Sequence, residues 1–308
     1  MYNIVGRTSA AVLLVALAAA ACGDVPSDYT PTAATAPSSD IFLGTLQRAA
    51  DRWQVADVIN ITDRDGYDNQ PFFTPDGTAL LYTSARDTSQ TDIYQYDVAT
   101  GTVTQVTHTP MASEYSPTVM PSGTEFSTIH EDAARQQLWH FGLDGSDRGG
   151  LLDALSPVGY HAWGDENTVA AFVLGDSIRP STLQLADVSS GETWIVAENI
   201  GRSLHRVPGL RAISFVHKVS SDEWLIKAVD LDTRSVTTIT PTLPGREDYA
   251  WSPDGSIVMG DDSKLYRWAE GREWEVVADL SAFGVRGITR VAVSARGDRI
   301  ALVGKRRE

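Results

Sequence analysis

The chain has 308 residues, 42% hydrophobic and 21% charged, a balance that fits a folded body with one substantial core or two small ones rather than a disordered chain. Twenty-five Lys and Arg against 40 Asp and Glu leave a formal charge of −15 and a pI near 4.7. Phosphate backbones need a basic stripe and none is visible, so no nucleic-acid partner is expected, and the acidity serves first to keep a surface soluble.

Met1 to Arg7 carries one positive charge, and Ser9 to Ala21 is an apolar run ending in small residues before Cys22, the only cysteine. A run of about 13 residues is short of the roughly 20 that a spanning helix needs, so export and cleavage are expected, with residues 1–21 as the signal peptide. Leu17-Ala-Ala-Ala-Ala-Cys22-Gly23 resembles the lipobox of bacterial lipoproteins, although Ala19 stands where that family usually has Leu. The resemblance implies that Cys22 is acylated and becomes the new N-terminus. The alternative is ordinary cleavage that leaves Cys22 as a free thiol, and in either case no intrachain disulfide can form.

Residues 23–40, GDVPSDYTPTAATAPSSD, are poor in large apolar groups and rich in Pro, Ser, Thr and Ala, so they bury too little to repay ordering. Residues 22–39 are therefore expected to be a flexible tether with an end-to-end span of about 23 Å, and residues 40–308 the folded domain.

Two nearly identical phrases stand far apart in that domain, Pro71-Phe-Phe-Thr-Pro-Asp-Gly77 and Tyr249-Ala-Trp-Ser-Pro-Asp-Gly255. Taking the last residue as a ruler gives six registers, at Gly77, Gly123, Asn167, Arg211, Gly255 and Gly297, spaced by 46, 44, 44, 44 and 42 residues. A period of this size points to a propeller or solenoid. The ruler position is read as the positive-φ residue of a tight turn between antiparallel strands, which suits Gly and Asn. Arg211 does not fit, and Gly209 is expected to carry a shifted turn there. Each turn is followed by a second strand (TALLYTS, TEFSTIH, TVAAFVL, AISFVHK, SIVMGDD, DRIALVG), then by a third of the DIYQYDVATG type and a fourth such as TVTQVTH. Four strands in about 44 residues make a propeller blade.

The sixth repeat stops after ITRVAVSARGDRIALVG, residues 288–304, with two strands only. DIFLGTL at 40–46 and WQVADVIN at 53–60 read as its missing third and fourth strands, which would close the ring and leave no free sheet edge. An amphipathic helix through LQRAADRWQVADVI is the competing assignment. The fold expected is all-β, a six-bladed propeller of four-stranded blades, its last blade completed by N-terminal strands.

The Asp-Gly turn, second strand and DIYQYD-type third strand resemble the repeats of TolB-like six-bladed propellers of the bacterial cell envelope. The resemblance is good in the first and fifth repeats and faint in the third and fourth. It implies an envelope location and a role in binding. TolB also carries an N-terminal α/β domain for which the 22–39 segment leaves no room, so a part in the Tol–Pal system is not carried over.

No G-x-S-x-G elbow is present, because Gly201-Arg-Ser203-Leu-His205 fails at its last position. There is no H-E-x-x-H motif and no cysteine pair for zinc, so neither metal nor cofactor is expected. Asp63-Arg-Asp65-Gly66-Tyr67-Asp68-Asn69 has spaced carboxylates but lacks the distal Glu of a calcium loop. His161 and His205 share a repeat column with Tyr249, Pro71 and Pro117. They either form a ligand site together or pack between blades with backbone partners, while Trp163 and Trp251 are expected to be inter-blade packing.

Side chains at the entrance of the inner strands face the funnel. Asn69, Tyr115, Tyr160, His161, Ser203, His205, Glu247, Asp248 and Arg290 are the candidate ligand-binding residues; Thr289 stands at the same entrance, with Arg202 and Arg246 close by. Glu247 and Asp248, adjacent on a strand, are expected to point apart. The preferred reading is a monomeric, membrane-tethered, non-enzymatic module holding a protein, peptide or glycan. The alternative is a propeller lyase or hydrolase using His161, His205, Glu247 and an arginine from 202, 206 or 246 on a sugar acid or similar polar substrate.

Overall fold

A computed structural model describes residues 38–49, 52–86 and 90–305. The signal peptide, Cys22 and nearly all of the expected tether lie outside the described residues. Ser38 and Ser39 are described, and they hydrogen-bond Gly66 and Asp68 beside the first blade.

The chain opens with β1 (Asp40–Ala49) and β2 (Arg52–Asn60). Blade one is β3 (Tyr67–Phe73), β4 (Ala79–Ala85), β5 (Asp92–Asp97) and β6 (Val103–Gln105). Blade two is β7 (Ser113–Val119), β8 (Glu125–Glu131), β9 (Gln136–Gly142) and β10 (Asp147–Gly150). Blade three is β11 (Val158–Trp163), β12 (Thr168–Val173), β13 (Thr182–Asp187) and β14 (Thr193–Glu198). Blade four is β15 (Ile200–Arg206), β16 (Ala212–Lys218), β17 (Trp224–Asp230) and β18 (Val236–Pro241). Blade five is β19 (Tyr249–Trp251), β20 (Ile257–Asp261), β21 (Lys264–Trp268) and β22 (Glu275–Asp279). The chain closes with β23 (Arg286–Val293) and β24 (Arg299–Lys305).

Six four-stranded antiparallel sheets result, and the sixth has the order β2-β1-β24-β23. The expected closure is present: Asp40 pairs with Gly304 and Thr45 with Arg299, so a strand from near each end of the chain forms the seam. Residues 40–60 form strands and not the competing helix.

Burial grades outward through each blade. All seven residues of β4 are buried, whereas β18 and β22 are largely exposed. Second strands are covered by a neighbouring blade on each face, so their central residues are buried whether apolar, as in TVAAFV, or hydroxyl-bearing, as in EFSTIHE. The core follows the same logic as a ring of clusters between adjacent blades, such as Phe42, Leu265, Ile288 and Ile300 between blades five and six.

Gly77, Gly123, Gly255 and Gly297 sit at φ between 69° and 80° in the turns after the first strands. In blade four Gly209, at φ 74°, makes the turn, as expected. In blade three the expectation for Asn167 fails, since it has no positive φ. The Asp165 carboxylate holds that turn instead, accepting the Asn167 and Thr168 backbone N–H groups at 3.0 and 2.8 Å.

Candidate functional site

The innermost strands β3, β7, β11, β15, β19 and β23 ring the axis. Their inner edges face a channel instead of another strand, so proline is tolerated there, and Pro71 and Pro117 sit where the pairing of β3 and β7 is interrupted. Every blade contributes to one cavity of about 430 Å³, which is therefore the axial channel. Its lining runs along the inner strands from Asp248 and Arg290 at one end to Pro75, Pro121 and Arg206, beside the Asp-Gly turns, at the other.

The first end is charged. Arg202 grips Asp248 through Nη2 at 2.5 Å and Nε at 3.3 Å, and Arg290 reaches the same carboxylate at 3.3 Å. Burial pushes the Asp248 carboxyl up, but the two guanidiniums outweigh it and hold it below the ordinary range. Arg290 also donates to the Tyr160 hydroxyl at 3.0 Å and lies 5.0 Å from the centre of that ring. Behind them Glu247 accepts the Arg202 backbone N–H at 3.1 Å and pairs with Lys218 at 3.2 Å. The expectation that Glu247 and Asp248 point apart is thus corrected. Both converge on Arg202, because Glu247 and Asp248 precede β19 and strand alternation does not govern them.

The two column histidines part ways. His161 Nε2 lies 2.6 Å from the Ser127 hydroxyl, on β8 of the preceding blade, and Ser127 also accepts the Trp163 indole N–H at 2.8 Å. Burial lowers His161 to a pKa of about 3, so it is neutral. The same clamp recurs between blades four and five, where the Ser214 hydroxyl accepts from Tyr249 at 2.7 Å and Trp251 at 2.8 Å. His161, Trp163 and Trp251 each contact a serine hydroxyl of the neighbouring blade, where a backbone partner was expected for His161. His205 has no such serine, since β12 reads TVAAFV. Its Nε2 lies 3.0 Å from Ser203 on its own strand and its ring stands edge-on to Tyr249 at 4.7 Å. Burial lowers His205 to a pKa of about 4, partly opposed by Asp248.

Of the nine candidate residues, Tyr160, His161, Ser203, His205, Asp248 and Arg290 line the cavity, and Asn69, Tyr115 and Glu247 do not. Asn69 bonds the Gln70 backbone and Ser39, and Tyr115 is buried with a hydrogen bond to Glu131. Arg246 pairs with Asp261 away from the channel. In the Asp63–Asn69 loop the Arg64 guanidinium bonds Asp68, the Asp65 carbonyl and Ser84, which places a cation of the protein's own in that loop. Among the described residues no three His, Cys, Asp or Glu side chains come together as a metal site. Sequence reasoning missed Lys218, Ser127 and Ser214. For the two serines the available signal was a hydroxyl at the third position of a second strand, in EFSTIHE and AISFVHK; for Lys218 there was none.

These features define a six-bladed β-propeller with a ring closed by strand exchange between its ends and an arginine-bearing axial cavity. Its fold is that of the TolB proteins among the solved structures. The protein described as TolB from Agrobacterium tumefaciens matches with a TM-score of 0.66 at 17% identity, over 87% of this chain and 98% of that one. TolB from Acinetobacter baumannii matches at 0.56 and 16% identity, over 87% of this chain and 65% of that longer one. An oligogalacturonate lyase from Vibrio parahaemolyticus matches at 0.50 and 10% identity, over 87% and 98%. At these identities the likeness concerns the fold. No protein-family model and no curated protein matches the chain.

Proposed function

We propose that this chain is a binding module of the bacterial cell envelope, exported by residues 1–21, acylated at Cys22, tethered through residues 22–39 and working as a monomer. It holds a protein, peptide or glycan at the axial cavity of the propeller without transforming it. The observation that carries this reading is the single 430 Å³ cavity to which all six blades contribute, with convergent polar groups at one end. The TolB-type fold and the lipobox-like stretch support the envelope part.

A photo-crosslinking residue at Met120, on the cavity wall, is expected to capture a discrete envelope partner in cells, whereas one at Val236 on the outer strand β18 captures none. Equal labelling from both positions, or none from Met120, would sink the proposal. Metabolic labelling with a fatty acid is expected in the parent and absent in Cys22→Ser.

One observation favours the second reading, a lyase or hydrolase: the Ser203 hydroxyl lies 3.0 Å from His205 Nε2 at the cavity wall. That pair lacks an orienting carboxylate, as the imidazole bonds the Tyr249 backbone, and His161 is committed to Ser127. The binding reading is therefore the stronger.

A further inference from the structure

The sign of the cavity is opposite to that of the protein. The chain carries −15, yet the charged residues lining the cavity are Arg202, Arg206 and Arg290 against Asp248 alone. The inner arginines already show what they hold best, because both grip one carboxylate, that of Asp248. Guanidinium forks match carboxylate geometry closely. Arg206 is different. It closes β15 at the opposite end of the cavity, is exposed, and its guanidinium has no ion-pair or hydrogen-bond partner among the described residues.

Between the two ends apolar residues such as Phe72, Val119, Met120 and Leu204 supply the larger part of the wall, with Gln70, Ser116 and Thr118 as polar breaks in it. A ligand covered with hydroxyls would leave many of them unpaired against such a wall. An apolar stem would not.

Resting on the binding reading above, we infer that the cavity selects ligands bearing a carboxylate on an apolar stem, as at the free C-terminal residue of a peptide, and that Arg206 is the residue that receives the carboxylate. The acidic exterior discourages anions elsewhere, so the arginine-lined cavity is where such a ligand concentrates.

Full-length protein in detergent is dialysed against N-acetylated tripeptides with apolar C-terminal residues, supplied as free acids, as C-terminal amides, or replaced by digalacturonate, and bound ligand is quantified by mass spectrometry. The free acids are expected to be retained and the amides not. Retention is expected to fall about tenfold in Arg206→Gln, recover partly in Arg206→Lys, and weaken with salt. Arg206 is exposed and unpaired, so these variants are expected to fold as the parent does, which matching melting curves check. Equal retention of acids and amides would overturn the inference and leave the binding reading standing. Preference for digalacturonate would overturn the apolar stem. Retention of none of the three would also overturn the inference, and the Met120 crosslink would then decide the binding reading separately.

Discussion

Arg290 and Tyr160 belong to blades six and three, on opposite sides of the ring, yet the guanidinium donates to the phenol oxygen at 3.0 Å across the axis. The channel is thereby spanned by a hydrogen bond between residues 130 positions apart. Arg290→Met removes this bond and one of the two guanidiniums holding Asp248, and is expected to cost about 3 kcal/mol. Tyr160→Phe removes only the hydroxyl and is expected to cost about 1 kcal/mol. Urea unfolding of both single variants and the double variant checks this, and the double is expected to fall short of the sum of the singles.

Ser127 and Ser214 each tie two ring groups of the next blade. Ser127→Ala leaves the His161 Nε2 and the Trp163 indole N–H buried without that partner, and a loss of about 2 to 4 kcal/mol is expected. Ser214→Ala is expected to lose a similar amount. If either variant unfolds at the parental urea concentration, the clamps are incidental.

Acid should destabilise the fold in two windows. His161 and His205 have native pKa values of about 3 and about 4, below the ordinary 6.5, so the unfolded chain takes up protons first as pH falls. Their contribution is complete above pH 6.5 and declines below it, by up to about 1.4 kcal/mol per pH unit for each histidine. Asp248, held low, adds its own loss only below the ordinary carboxylate range. Stability measured from pH 7 to 4.5 is expected to flatten in His161→Gln relative to the parent. An unchanged slope would contradict a buried neutral His161.

The blade-four turn separates conformation from charge. Gly209→Ala places a side chain at φ 74° and is expected to cost about 1 kcal/mol. Arg211→Ala loses ion pairs to Asp165 and Asp232 that are mostly solvated, and is expected to cost under about 1 kcal/mol. Thermal melting of the two variants distinguishes them.

The architecture was legible because a propeller repeats a short local phrase, so turn residues and strand spacing alone gave blade number and closure. Even there Asn167 misled, since a carboxylate two positions earlier performs the turn by hydrogen bonding rather than by backbone conformation. The site was legible only in part. The six cavity-lining candidates lie on the inner strands or, for Asp248, just before one, positions that the repeat fixes, whereas Asn69, Tyr115 and Glu247 turn away for local reasons. What strand periodicity does not encode is a meeting across the axis, such as Arg290 with Tyr160, or the splitting of His161 from His205 by a serine present in one neighbouring blade and missing from the next.

The seam between β1 and β24 makes the propeller a clasped bracelet rather than an open spring. An open stack of repeats can fray from its ends one unit at a time. Here both terminal strands are locked into one sheet, and holding them together closes a circuit of about 260 residues, against an entropy on the order of 5 kcal/mol. Ring closure is consequently a last-step event: the clasp has no second half until β24 has emerged, so a chain still being made stays unringed. Once shut, the clasp ties the five other blade interfaces into one cooperative circuit, and weakening it should convert a single all-at-once collapse into fraying blade by blade from the seam.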